Sequence, residues 1–325
     1  MREEGNIVPG MAERYFNLFV NRAAYTVQSN KPGANGKHYY YRPKGQRRLS
    51  SETILRHLRG EITAGLYAIN PRTQRSKWVA IDADYGAAFE HLLRIQIALR
   101  NDAIQSALER SRRGAHLWIF GSQPLLASEC RLYVYNLAMR LNLPIKTTGD
   151  SDGLEVFPRQ DHVGTNEFGN AIRGPLGVHR GAGGKRFWFY GAPPNFEAQL
   201  SFLERLKKLS EEQLHQLVAG LEMPEAFKPR PAVLLPPYDA TRREFHILDH
   251  VPKGRRSGKD YRTKCPSCSL LGRDKNNDNL AVSVSDPRKY KCWAGCRKEE
   301  IRAALGCPIR SVAANGTWQR TRLNA

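Results

Sequence analysis

Short apolar runs bounded by turn residues alternate along this chain with stretches of helical period. "AGLYAI" (64–69) and "KWVAID" (77–82) flank the turn-rich "NPRTQRS", and they predict a β-hairpin that delivers Asp82 at a strand end. Ahead of them, Ser50 or Ser51 caps an expected short helix through Leu58 that Gly60 ends. Phe89, Leu92, Leu93, Gln96 and Leu99 keep a mostly apolar helical stripe, which predicts a helix over 87–109. "AHLWIF" (115–120) then returns as a strand, followed by a helix over 126–142 and strand-like segments at 153–157, 172–178 and 186–191.

After residue 195 the pattern turns helical, and "SEEQ" (210–213) has the spacing of a capping box. The prolines of 224–239 deny backbone donors to a helix or a central strand, so this stretch reads as a linker. The expected organisation is a large mixed α+β domain over 1–223, the linker over 224–239, a small domain over 240–310 and a tail over 311–325.

Composition agrees with that size: 325 residues, 41% of them hydrophobic, can bury one full core and a smaller one. Charge adds a partner. With 51 Lys+Arg against 31 Asp+Glu the net charge is +20, which favours a polyanion, nucleic acid before anionic membrane. The sequence holds no run of 18 apolar residues and begins without a signal-peptide pattern, so a soluble, cytoplasmic protein is expected.

Six cysteines are too few for a disulfide scaffold of this length, and four of them cluster. Cys265 and Cys268 form a CxxC and Cys292 and Cys296 a CxxxC, separated by 23 residues that contain the strand-like "LAVSVS". Two thiolate pairs from tight turns match tetrahedral Zn²⁺ of the structural kind; disulfides and an iron–sulfur cluster are the other readings. Cys307 is a substitute ligand and Cys130 a core side chain. Just ahead, "KGRRSGKDYRTK" (253–264) carries six basic residues against one Asp. Beside Tyr261, Tyr290 and Trp293 it reads either as a solvated surface or as a single-strand binding face using Arg255, Arg256, Lys259, Tyr261 and Trp293.

The strand-like "WVAIDADYG" (78–86) ends on Asp82 and Asp84. Alternation in a strand puts these side chains on one face, about 7 Å apart along the chain, a spacing that suits divalent cations. An isolated DxD is more often a turn or a helix cap. "SRRGAHLWIF" adds His116 after a cationic turn, and "DGLEVFPRQ" adds Glu155 within another strand-like segment. Carboxylates that hold hard cations, with basic groups for phosphate oxygens, are the parts of metal-assisted phosphoryl transfer. "IRGPLGVHRGAGGKR" supplies Arg173, His179, Arg180 and Lys185 among glycines, either a cradle for phosphates or template or an exposed basic loop.

In this order, DxD, SxxGxH, the acidic residue before "FPRQ", and "GNAIRGPLGVHR" resemble the archaeo-eukaryotic primase superfamily. "YFNLFVNRAAYTVQS" with "LRGEITAGLYAINP" is most similar to primases of mobile elements and TOTE conflict systems. The resemblance spans residues 11–195 and implies an RRM-like antiparallel sheet faced by helices, with an amino-terminal αβ unit. It implies catalytic carboxylates Asp82, Asp84 and Glu155, with Asp150 and Asp152 as competitors for the third place. Ser111 and His116 would contact the triphosphate, and Arg159 the nucleotide.

"YRTKCPSC" and "KYKCWAGC" are similar to the zinc domain of DnaG-type primases, except that Cys268 stands where those usually have His. The expected activity is primer synthesis on single-stranded DNA from (d)NTPs with Mg²⁺ or Mn²⁺, next to a structural Zn²⁺ and with a separate helicase, for a mobile element. A metal-dependent nuclease and a non-catalytic binding module are the rival classes, and no GxxxxGK[ST] phosphate loop occurs.

Overall fold

A computed structural model describes residues 7–33, 36–45, 48–146, 152–227 and 245–309, which divide into two units, 7–227 and 245–309. Asp150, most of the expected linker and the tail lie outside the described residues. Among the described residues no helix is long and apolar enough to cross a membrane.

The first unit opens with α1 (Pro9–Phe19), β1 (Tyr25–Gln28), β2 (Tyr40–Tyr41), α2 (Ser51–Leu58) and β3 (Ala64–Tyr67). Ser50 is the cap of α2: its Oγ accepts from the Thr53 N–H at 3.3 Å, while the Ser50 N–H donates back to Thr53 Oγ1 at 3.4 Å. Beyond α2, Gly60 takes φ +82°, a left-handed conformation open to glycine at little steric cost.

Then follow β4 (Arg75–Ala83), α3 (Ala88–Asn101), β5 (Ser106–Arg110), β6 (Ala115–Leu126), α4 (Ala127–Arg140) and β7 (Glu155–Phe157). These six elements form a βαββαβ motif whose antiparallel sheet has the order β5-β6-β4-β7, the RRM-like arrangement. After them come β8 (Ala171–Arg173), β9 (Val178–His179), β10 (Lys185–Arg186), α5 (Phe196–Arg205) and α6 (Glu211–Val218). β8 returns to the amino-terminal elements and completes a second antiparallel sheet, β2-β1-β3-β8.

The expected hairpin of 64–69 with 77–82 does not form. β3 has both edges occupied, by β1 and β8, and β4 lies between β6 and β7, so the two strands belong to different sheets. An Asn70–Arg75 bridge and the Gln74 N–H on the Asn70 carbonyl close the turn between them. The expected helix over 87–109 is also corrected: it stops at Asn101, Ala103 turns at φ +56°, and 106–110 is a strand. Ala107 and Leu108 bury against opposite faces of the sheet, a tertiary environment that outweighs local helical period. The segment 172–178 splits around Gly174 and Pro175 into β8 and β9, and 186–191 keeps ladder pairing at β10 and a bridge at Phe189.

Alternation along the RRM-like sheet separates two cores. Val79, Ile81 and Ala83 of β4, Leu117 and Ile119 of β6 and Val156 of β7 face α3 and α4. Trp78, Ala80, Trp118, Phe120 and Phe157 face the opposite way, toward α1, α5 and the amino-terminal sheet. Trp78 and Trp118 are fully buried with ring centroids 4.9 Å apart, and the Trp78 indole N–H donates to the Phe19 carbonyl at 2.8 Å. Asp82, His116 and Glu155 continue this second face by the same parity, past the point where apolar packing ends.

The second unit contains β11 (Arg255–Ser257), β12 (Asp260–Thr263), α7 (Pro266–Leu270), β13 (Leu280–Ser283), β14 (Tyr290–Cys292) and α8 (Lys298–Ala304). Its strands form an antiparallel sheet in sequence order. Its core is small: Ile247, Val251, Leu280, Val282 and Ile301 gather around Cys265, Cys268 and Cys292.

Candidate active site and metal centre

The register of the RRM-like sheet writes a row of polar side chains across all four strands. Glu109 on β5 pairs with His116 on β6, His116 with Asp82 on β4, and Asp82 with Glu155 on β7. Neighbouring strands stand about 4.8 Å apart, so the row is continuous at side-chain reach. It floors a cavity of about 480 Å³ whose other walls come from β1, β2 and β8 of the second sheet and from the loop after β9.

Within the row, His116 Nδ1 is 2.7 Å from Glu109 Oε1 and Nε2 is 3.3 Å from Asp82 Oδ1. Burial alone would pull the His116 pKa down; the two flanking carboxylates outweigh it and raise it to about 9. Asp82 is pushed upward by burial and held below its ordinary range by His116, Arg173 and Lys146.

Asp84 follows the last residue of β4 and meets the turn between β5 and β6. Arg113 donates to its Oδ2 at 2.5 Å and Ser111 Oγ to its Oδ1 at 3.3 Å. Ser111 Oγ also accepts from the Gly114 N–H at 3.2 Å, which ties the turn "SRRG" together. Gly114 is required there, since a Cβ would lie 1.9 Å from the Ala83 carbonyl oxygen.

Glu155 is held by Lys146 at 2.5 Å and by Arg159 at 3.1 Å. Asp152 is exposed and is not among the residues that line the cavity. The three carboxylates face one cavity, with Asp84 and Glu155 each turned toward cationic side chains. Among the described residues, only the four cysteines bring three or more metal-type donors within 4.8 Å of one another. The carboxylates suit hard cations through their oxygen donors, and Asp82 Oδ1 is buried with His116 Nε2 at 3.3 Å but no well-formed hydrogen bond among the described residues.

Ser111, Arg173, His179 and Arg180 line the cavity as well. Arg173 is 6% exposed and donates to Glu109 Oε1 at 3.1 Å. Burial, then Arg173 and Arg112, lower the His179 pKa to about 4, which leaves its ring neutral. Arg180 donates to the carbonyls of Gly60 and Glu61, both at 2.7 Å, while its N–H meets Gln28. Arg159 and Lys185 are not among the lining residues: Arg159 pairs with Glu155, and Lys185 stands exposed on β10 opposite His179. Sequence reasoning missed Glu109, hidden by reading its segment as helix, along with Lys37, Tyr40 and Arg113 of the cavity wall.

In the second unit, Cys265, Cys268, Cys292 and Cys296 offer Sγ atoms all within 4.8 Å of one another. Zn–S bonds of about 2.3 Å imply Sγ separations of roughly 3.8 Å in a tetrahedron, which this cluster can meet. Asp274 braces the first pair: its carboxylate accepts from the N–H groups of Cys265 at 2.6 Å and Asp278 at 3.0 Å. Cys307 is outside the cluster and Cys130 is a buried side chain of α4. Arg255, Arg256 and Lys259 are exposed and Tyr261 half-buried. Trp293, 52% exposed, has Arg262 at 4.8 Å and Lys291 at 5.0 Å from its ring centroid.

No curated protein sequence matches the chain. Solved structures similar to it at low identity include two bound to DNA. The catalytic domain of primase Repb′ in complex with initiator DNA is 10% identical, with a TM-score of 0.32 over 66% of this chain and 98% of that one. The polymerase domain of Mycobacterium tuberculosis ligase D in complex with DNA is 12% identical, with a TM-score of 0.31 over 66% of this chain and 90% of that one. The model of the archaeo-eukaryotic primase domain of TOTE conflict systems matches residues 13–217, a span that contains both four-stranded sheets of the first unit and every residue of the cavity described above, and the chain belongs to that family.

Proposed function

We propose that this chain is a template-directed nucleotidyltransferase that makes and extends primers on single-stranded DNA from (d)NTPs, in the replication of a mobile element and beside a separate helicase. The observation that carries this reading is the row His116–Asp82–Glu155 across adjacent strands, with Asp84 next to it, at the floor of a cavity walled by cationic side chains. Family membership supports nucleotidyl transfer as the reaction class.

In that reaction the 3′-oxygen of the growing strand forms a bond to the α-phosphorus, the bond from that phosphorus to the bridging oxygen breaks, and pyrophosphate leaves. Asp82, Asp84 and Glu155 would hold Mg²⁺ or Mn²⁺. Bound there, divalent cations supply activation of the attacking hydroxyl and charge neutralisation on the leaving group. His116 and Arg173 neutralise phosphate oxygens, and Ser111 aligns Asp84 from the turn above it. Asp84 pairs with Arg113 and Glu155 with Lys146 and Arg159; with divalent cations on the carboxylates these basic side chains would be free to face the triphosphate.

In the second unit a structural Zn²⁺ on the four thiolates organises the small sheet. Arg255, Arg256 and Lys259 contact template phosphates, and Tyr261 and Trp293 stack on bases.

The test is incubation of labelled single-stranded DNA with NTP or dNTP mixtures and Mg²⁺ or Mn²⁺. Products longer than dinucleotides are expected from the wild type, and none from folded Asp82→Ala or Asp84→Ala. Shortening of the strand would mark a nuclease instead, and DNA binding without any incorporation would mark a non-catalytic module.

A further inference from the structure

Glu109 is fully buried, carries a charge and belongs to none of the motifs that identify the site. It ends the polar row, on the edge strand β5. One of its oxygens, Oε1, receives both His116 Nδ1 at 2.7 Å and the Arg173 guanidinium at 3.1 Å. Its other oxygen is buried without a hydrogen-bond partner among the described residues. Arg173 comes from β8, an edge of the other sheet, so this carboxylate joins the two sheets that enclose the cavity.

We propose that Glu109 is a positioning residue that brackets His116 and Arg173 into one pair of donors aimed at the triphosphate of the bound nucleotide. This rests on the reading of the cavity as a nucleotide site. The physical case begins with cost: a buried carboxylate with an unpaired oxygen is an expensive strut, and apolar packing would join two sheets at lower cost. What the carboxylate adds is direction. It accepts from His116 Nδ1, so the ring cannot rotate and Nε2 stays toward Asp82 and the cavity. The same oxygen accepts from the Arg173 guanidinium, which holds imidazole and guanidinium side by side and lets both stand beside the same phosphate chain. Arg173 is further constrained by donation to the Gly174 carbonyl at 3.2 Å, so its reach is set from two sides.

The experiment is a double-mutant cycle on the full chain, read by calorimetric titration with the non-incorporable α,β-methylene-dATP in Mn²⁺. Glu109→Gln is expected to weaken binding about 10- to 100-fold, the range found when orienting partners are removed. In the His116→Asn/Arg173→Gln background the same change is expected to cost less than twofold, because the groups it acts through are gone. The ¹⁵N resonances of the His116 ring should shift in Glu109→Gln, which a mere strut would not cause. Glu109→Asp, which keeps the charge and shortens the reach, should fall between wild type and Glu109→Gln, and it replaces Glu109→Gln in the cycle if that variant does not melt cooperatively. Equal losses in both backgrounds, or undiminished binding by folded Glu109→Gln, would overturn the bracket alone. Absence of binding by the wild type would overturn the nucleotide reading and the bracket with it.

Discussion

At the scale of single residues, two positions show how closely the site is tied to its surroundings. Gly114 lies against the end of β4, where an added Cβ would meet backbone atoms of Ala83 and the Ala88 methyl at 2.9 Å or less. Backbone cannot move aside as a flexible side chain can, so Gly114→Ala should destabilise the first unit by about 2–3 kcal/mol in chemical denaturation and displace the turn that holds Asp84. His57 is the second. It is fully buried, accepts from the Ala64 N–H at Nδ1 and meets the Pro175 carbonyl at Nε2, each at 3.1 Å. Burial, aided by Arg173 and Arg186, lowers its pKa from 6.5 to about 4.

The folded state therefore refuses a proton that the unfolded chain accepts below pH 6.5. His57 contributes fully above pH 6.5, and stability falls as pH drops from 6.5 toward 4, by about 3 kcal/mol. Denaturation midpoints at pH 7 and pH 4.5 should differ less in His57→Gln than in the wild type. An unchanged difference would show that the acid loss comes from other groups.

At the scale of elements, local chemistry was readable wherever it did not depend on a partner strand. The cap of α2 is one case: the Ser50 and Thr53 pairing is set within a few residues, and Ser50→Ala should cost about 1 kcal/mol in thermal unfolding. The ends of α3 and β5 are the opposite case. "SALER" satisfies a helical stripe as well as a strand, and its choice was made by the free edge of β6, which offered Ala107 and Leu108 two separate cores. The failed hairpin of 64–69 with 77–82 has a related cause: strand partners were taken by β1, β8, β6 and β7, none of them adjacent in sequence to the turn. Glu109 was lost from view with β5, because a helical reading sends it away from His116.

At the scale of the whole molecule, the chain combines a large unit held by two apolar cores with a small one whose core is built around thiols. Structural zinc contributes roughly 10–16 kcal/mol to such modules, far more than a few buried aliphatic side chains supply. Chelation of the proposed zinc, or Cys292→Ala, should therefore unfold 245–309 as seen by proteolysis and amide exchange, while the melting transition of the first unit persists. The net charge of +20 acts at this scale as well. Affinity for single-stranded DNA should fall steeply with salt, and Arg255→Ala or Arg256→Ala should each reduce the log–log slope by roughly 0.7 if that side chain contacts a phosphate. A slope that does not change would remove that residue from the proposed template path.

By itself the sequence determined what depends on covalent spacing and backbone period: the two thiolate pairs, the alternation that directs Asp82 and Asp84 alike, a serine cap at position 50 or 51 and the mixed α+β class. Those features are set within a few residues, where φ/ψ preferences and side-chain alternation act directly. Only the tertiary structure decided the row Glu109–His116–Asp82–Glu155, the meeting of Glu109 with Arg173 64 residues away, and the separation of β3 from β4. Cross-strand register and the cost of leaving charge unpaired in a buried site are properties of packed neighbours, and no local pattern encodes which neighbours those are.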